Sequence, residues 1–291
     1  MKDLKKHLPL QEQVHLLLNR GLIIDDDNEV MEVLKNVNYY RLSGYLHSFR
    51  QPNSDSYIEN LTWSRLKSIY DFDRKLTRIL LYALEDVEET LKTRLSYTIT
   101  EKYPDDPLVY LKPTIYRDYK QFLRFQDYFY RTKENNYKLP FVEHHYKEYD
   151  GNLPMWVAVE LFTMGNLHGI YDNLISVHQK ALAKTFGTGP RQFSSWLENL
   201  VYTRNHLAHY MRIHNFNFGR TPAECKNHRR EFPVTNMIFD QIYVMYCMYS
   251  DRSEWRSYVL QEVRAVIDEY SNVVNLSEIG FPENWEEILR K

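Results

Sequence analysis

Apolar residues recur at three- or four-residue steps along most of this chain, and the strict alternation that marks a half-buried strand is weak throughout. The clearest stretch covers 62–99. There Ile69, Phe72, Leu76, Leu80, Leu84, Val87, Leu91 and Leu95 fall on one face and predict a single long helix. Ahead of it, 9–20 reads as a short helix. Asp25, Asp26, Asp27 and Asn28 then offer caps to a second helix carrying Val30, Val33, Leu34 and Val37 on one side. The polar run 51–56 reads as an exposed loop. Beyond the long helix, 103–107 breaks the pattern, 112–149 is charged, aromatic and helical, and 150–154 is the clearest internal boundary. Helices are expected over 156–174 and 178–186, followed by the breaker 187–190. A further helix is expected to start near Phe193 or Ser194 and to reach about Met211, with the last helices near 236–249 and 254–272. The expectation is an all-α fold, with 1–60 as an N-terminal helical docking segment and 61–291 as the main all-α domain.

Composition supports a folded body and narrows its chemistry. The chain has 291 residues, 43% of them hydrophobic, with only 9 glycines and 11 prolines, which suits one large helical domain or two intimately packed ones. A formal net charge of -2 supplies no global positive field for nucleic acid, so any RNA contact must be local. Cys225 and Cys247 lie far apart and outside any CxxC pattern, which fits a reducing cytoplasm and offers no Cys-based zinc site. The charged start, Met1 to His7, is not followed by an apolar leader region, and the longest apolar run, 242–249, is too short to span a bilayer. A cytoplasmic protein without membrane contact is expected. Tyrosine is abundant, at 24 copies; core padding with hydroxyls at the surface is the first reading, and base-stacking platforms are the second.

Chemistry concentrates in Arg204-Asn205-His206-Leu207-Ala208-His209. On a helix Arg204 and His209 are about 140° apart at about 100° per residue, whereas Asn205, His209 and Arg212 follow one face. A guanidinium, an amide and an imidazole at one helix end suit an anionic ligand such as a phosphodiester. RNA carries its own nucleophile in the 2′-hydroxyl, so cleavage requires a base, an acid and a cation, and no metal or other cofactor. In that scheme His209 is the acid/base, Arg204 stabilises the phosphorane, and Asn205 orients the imidazole or the phosphate. One histidine does not readily serve both sides of an in-line displacement, which favours a homodimer with a composite site.

The surroundings of that motif resemble the Abi (abortive-infection) family. Residues 196–215 are similar to the family's Trp-Leu stretch leading into Arg-Asn-x-x-Ala-His. Three further segments follow in the family's order: Tyr39 to Tyr45; Phe72-Asp73-Arg74-Lys75-Leu76 with Val87-Glu88; and 153–160 with Gly165. The resemblance spans roughly 36–216. It implies a HEPN-like helical bundle with additional N- and C-terminal helices. In active members the Arg-x4-6-His motif serves metal-independent RNA cleavage in phage defence or toxin action, and here Arg204, Asn205 and His209 are the matching positions. His214 stands where the family usually has Trp, and Lys92 where an Arg commonly follows the helical Glu.

Around the motif, Glu88, His206, Arg212 and His214 are expected to bind RNA or to support the residues that do. For Glu88 the simpler reading is an exposed pair with Lys92; the other sends it toward Arg204. For Tyr40, Arg41 and Tyr45 a docking segment held by aromatic burial comes first and an RNA-facing or partner-facing surface second. Arg212, His214, Arg220, Lys226, His228, Arg229 and Arg230 form either a phosphate-tracking patch or a solvated loop. No metal site is expected, because neither His206 with His214 nor His144 with His145 has ligands at recognised spacing. Glycine-rich phosphate loops, Gly-x-Ser-x-Gly and His-Glu-x-x-His are absent from the sequence, which leaves nucleotide hydrolysis, esterase chemistry and zinc proteolysis without a basis. The expectation is therefore an RNA-cleaving effector with an RNA substrate, a second copy of itself and a cognate antitoxin, protein or RNA. A non-catalytic RNA-binding or protein-interaction module is the alternative.

Overall fold

In the computed structural model, residues 6–224, 227 and 229–291 are described. The chain is all-α, and the described residues contain isolated β-bridges but no strand. Helix α1 (Leu10–Asn19) and α2 (Asp27–Asn36) pack on each other, and Asp26 caps α2 by accepting the Asn28 N–H at 2.8 Å. Helix α3 (Tyr39–Leu46) follows, and Asn38 caps it. The loop 51–55 is exposed.

The axis of the fold is α4 (Trp63–Thr100), unbroken over 38 residues and capped by Thr62, whose hydroxyl accepts the Arg65 N–H. Ile69, Phe72, Leu76, Leu80, Leu91 and Leu95 on it are fully buried, as the three- and four-residue spacing predicts. Around it run α5 (Tyr119–Asn135), α6 (Pro140–Glu148), the one-turn α7 (Met155–Ala158), α8 (Met164–Asn173), α9 (Ser176–Thr185) and α10 (Pro190–Ala208). Helices α11 (Ile238–Met248), α12 (Arg252–Glu254), α13 (Leu260–Glu269) and α14 (Trp285–Arg290) close the chain, with a π-helical stretch, Trp255–Val259, joining α12 to α13. One buried cluster runs from Val14 to Leu289, so both the span 1–60 and the span 61–291 contribute to the same core.

Three boundaries differ from the sequence reading. The single helix expected over 156–174 is interrupted, because Thr163 and Asn166 form a capping box that starts α8 afresh. Helix α10 begins at Pro190 rather than near Phe193, since a proline at the first helical position needs no N–H partner and has the right φ already. It also ends at Ala208 rather than at about Met211. His209 is its C-cap, and Tyr210 turns the chain at φ 57, in the left-handed region. No helix among the described residues is long and apolar enough to cross a membrane.

The core role of α4 gives a direct expectation. Leu80→Ala, at a position with no exposure, should destabilise the protein by roughly 2–5 kcal/mol in urea unfolding, through lost transfer energy and the cavity left behind. A change below about 1 kcal/mol would show that α4 is not the packing centre.

Candidate functional site

The site is built at the C-terminal end of α10. Arg204 is half-buried and Asn205 exposed, and the Arg204 guanidinium donates to the Asn205 side-chain oxygen at 3.4 Å. His209 is exposed at the C-cap, where its N–H donates to the Asn205 carbonyl at 3.0 Å. Its imidazole has no hydrogen-bond or ion-pair partner among the described residues. Arg204, Asn205 and His209 therefore share one solvent-facing helix end.

The other residues expected near the site are arranged differently. Because the helix stops at Ala208 and the chain reverses at Tyr210, Arg212 does not continue the Asn205–His209 face. It turns inward toward Asp73 and Tyr45, and burial pulls its pKa down from the usual guanidinium value. His206 is 7% exposed, donates its Nε2–H to the Arg212 carbonyl at 2.7 Å, and lies among Tyr202, Phe216 and Phe218. His214 is 1% exposed, meets Glu278 Oε2 at 3.0 Å through Nε2, and stacks on Phe49. Burial lowers the pKa of both imidazoles, that of His214 despite the opposing pull of Glu278. Neither ring reaches solvent for a direct contact with RNA. What they hold is the turn that presents His209.

Glu88 does not meet Arg204. It lies 3.7 Å from Lys92, whose ammonium is also 3.9 Å from Glu160, and the Glu88–Lys92 pair is partly buried rather than exposed. Two arginines of the cationic run after the motif are engaged internally. Arg220 pairs with Glu198 and covers the Tyr202 ring, and Arg230 lies 3.6 Å from the fully buried Asp240. Lys226 and His228 lie outside the described residues. Among the described residues no three His, Cys, Asp or Glu side chains converge as metal ligands would.

The residue that sequence reasoning missed is Asp73. It is 1% exposed on α4 and accepts the backbone N–H groups of Ile213 at 2.7 Å and His214 at 3.0 Å. The Tyr45 hydroxyl donates to it as well, and the charge of Arg212 favours its ionised form. Asp73 and Tyr45 belong to two of the segments that resemble the Abi family, so their meeting was signalled by the motifs but not by hydrophobic pattern. Glu278 supports the same segment, since its backbone oxygen accepts the Asn215 N–H at 2.8 Å. From the docking segment, Arg41 donates to the Tyr210 carbonyl at 3.2 Å and lies over the Tyr210 ring, which Arg74 also covers at 4.5 Å. Tyr40 beside it is 85% exposed, whereas Tyr45 is buried, so the aromatic segment both docks and faces solvent.

An all-helical protein with a solvent-facing Arg–Asn–His helix end, followed by a turn held by α3, α4 and Glu278, is the class these features define. A family model described as Abi-like protein matches residues 32–215. That is more than half of the chain, and the chain belongs to this family, whose description points to abortive infection, a form of phage defence. No curated protein and no solved structure matches the chain.

The Asp73 clamp makes a pH prediction. Burial raises the Asp73 pKa from 3.8 to about 6, against the lowering effect of its donors. The native state thus holds this proton more tightly than the unfolded chain. The stabilising contribution is full below the unfolded value and is lost as pH rises through about 6. In urea unfolding of wild type and Asp73→Asn, the stability advantage of wild type should fall by on the order of 2–3 kcal/mol between about pH 4 and pH 7. An advantage that grows over that range would contradict this assignment.

Proposed function

We propose that this protein is a metal-independent endoribonuclease, an abortive-infection or toxin-type effector of phage defence. The observation that carries the reading is the contrast among the three histidines of the segment. His206 and His214 are buried with internal partners, while His209 faces solvent beside Arg204 and Asn205. A histidine with a purely structural role would be expected to have the burial and partners of the first two.

In this reading His209 takes the proton of the RNA 2′-hydroxyl or gives one to the leaving 5′-oxygen. Arg204 stabilises the charge that develops on the phosphorane oxygens, and Asn205 orients the guanidinium it already touches or the phosphate. The electron pair of the 2′-oxygen forms the new bond to phosphorus as the 5′-oxygen leaves, so the product is a 2′,3′-cyclic phosphate and a free 5′-hydroxyl. Acid and base stand on opposite sides of that displacement, and a second copy related by a twofold axis supplies the second histidine in a homodimer. Such an effector requires restraint, which this reading assigns to a cognate antitoxin, protein or RNA.

The test is incubation of purified protein with mixed single-stranded RNAs in EDTA. Wild type should give fragments ending in 2′,3′-cyclic phosphate, and His209→Ala and Arg204→Ala should slow cleavage by about 10²–10⁴-fold while keeping native helical content. Intact RNA with wild type, together with an RNA-binding shift weakened by Arg204→Ala, would overturn cleavage in favour of a non-catalytic RNA-binding module.

A further inference from the structure

Tyr210, one residue after His209, leads out of the site along α4. The Arg74 guanidinium that covers its ring also lines an open depression of about 480 Å³ with Tyr70, Asp71, Lys75, Arg78 and Tyr270. A second depression of about 390 Å³ shares Lys75 and Arg78 and continues to Tyr82 and Tyr258. Arg74, Arg78 and Tyr82 are successive four-residue steps on one helix and so line one face of α4, each about 6 Å of axial rise from the last.

The charges along this groove divide clearly. Asp71 is tied to Lys67 at 2.6 Å and Lys75 to Glu269 at 2.5 and 2.7 Å, so these pairs largely cancel. Arg78 is exposed and has no hydrogen-bond or ion-pair partner among the described residues. Arg74 is engaged with a neutral ring, which leaves its charge uncompensated. At the far end Tyr82 and Tyr258 are 39% and 45% exposed, with ring centroids 4.9 Å apart in an edge-to-face pair. The Tyr82 hydroxyl donates to Glu254 at 2.5 Å, and Glu254 and Glu262 close the cationic stretch at that end.

We propose that this groove binds the single-stranded RNA that flanks the scissile phosphate, with Arg74 and Arg78 on successive backbone phosphates and the Tyr82–Tyr258 ledge under a base. The placement next to the reacting phosphate rests on the cleavage reading of Arg204 and His209. Two uncompensated guanidiniums one helical turn apart, followed by an exposed aromatic pair, match the phosphate-then-base repeat of a nucleotide chain. An acidic peptide would use the cations but would place no base on the ledge.

The test uses the full-length protein and a fluorescein-labelled 2′-O-methyl oligouridine, whose blocked hydroxyl prevents cleavage, followed by fluorescence anisotropy across a salt series. Arg78→Gln removes the charge of an exposed side chain that has no hydrogen-bond or ion-pair partner among the described residues. It should weaken binding about fivefold at low salt and reduce the slope of log affinity against log salt by about 0.7. Tyr82→Ala should weaken binding about tenfold with the slope unchanged, and Lys138→Gln, outside the groove, should change neither. Equal affinity and slope for wild type and Arg78→Gln overturn the proposal. So does an Arg78-dependent complex with labelled oligoglutamate where oligouridine does not bind. Arg78-dependent oligouridine binding by a wild type that leaves unmodified RNA intact supports the groove as an RNA site while overturning the cleavage reading.

Discussion

The carboxylate of Asp73 is the constraint on which the site depends. A carboxylate removed from water is costly, and it persists in a folded core only where donors and an opposite charge compensate it. Here the compensation comes from the Ile213 and His214 amides, the Tyr45 hydroxyl and the nearby Arg212. Each donor sits on a different stretch from Asp73 itself, so satisfying the charge fixes α3 and the segment after α10 against α4. That segment carries the reversal at Tyr210, and the reversal determines that His209 points to solvent while Arg212 does not.

Seen from this anchor, the positive charges near the motif separate into two kinds. Arg212, Arg220 and Arg230 face acidic or buried surroundings and hold the loop together. Arg204, Arg74 and Arg78 lie on the solvent side, one at the helix end and two along α4. A chain with a formal net charge of -2 can engage a polyanion only through such a local arrangement, because the long-range field offers no help.

Much of the architecture was legible from periodicity. The helical spacing of Ile69 to Leu95 predicted α4 nearly to its ends, and Asp26 and Thr62 act as the caps their residue types suggest. The interruption at Thr163 and the early start at Pro190 were not, because both are set by local capping chemistry within otherwise helical patterns. In the site, Arg204, Asn205 and His209 do share one end of α10. The inward turn of Arg212 and His214 was hidden, since it follows from a left-handed Tyr210 that no residue type announces: tyrosine lacks glycine's freedom there, and the surrounding clamp imposes the conformation. The role of Asp73 was not legible from hydrophobic pattern for a related reason. On a helical wheel it is one polar residue on a mostly apolar face, and only the tertiary contact with residues 213–214 explains its burial.

The most direct test of this account is native-state amide hydrogen exchange over residues 209–215 in wild type and in Asp73→Ala. The account predicts that the Ile213 and His214 amides of wild type exchange as slowly as amides in the middle of α4, and that the variant loses this protection selectively while α4 keeps its own. Fast exchange at both amides in wild type, or equal protection with and without the Asp73 carboxylate, would contradict the claim that this buried charge holds the turn presenting His209.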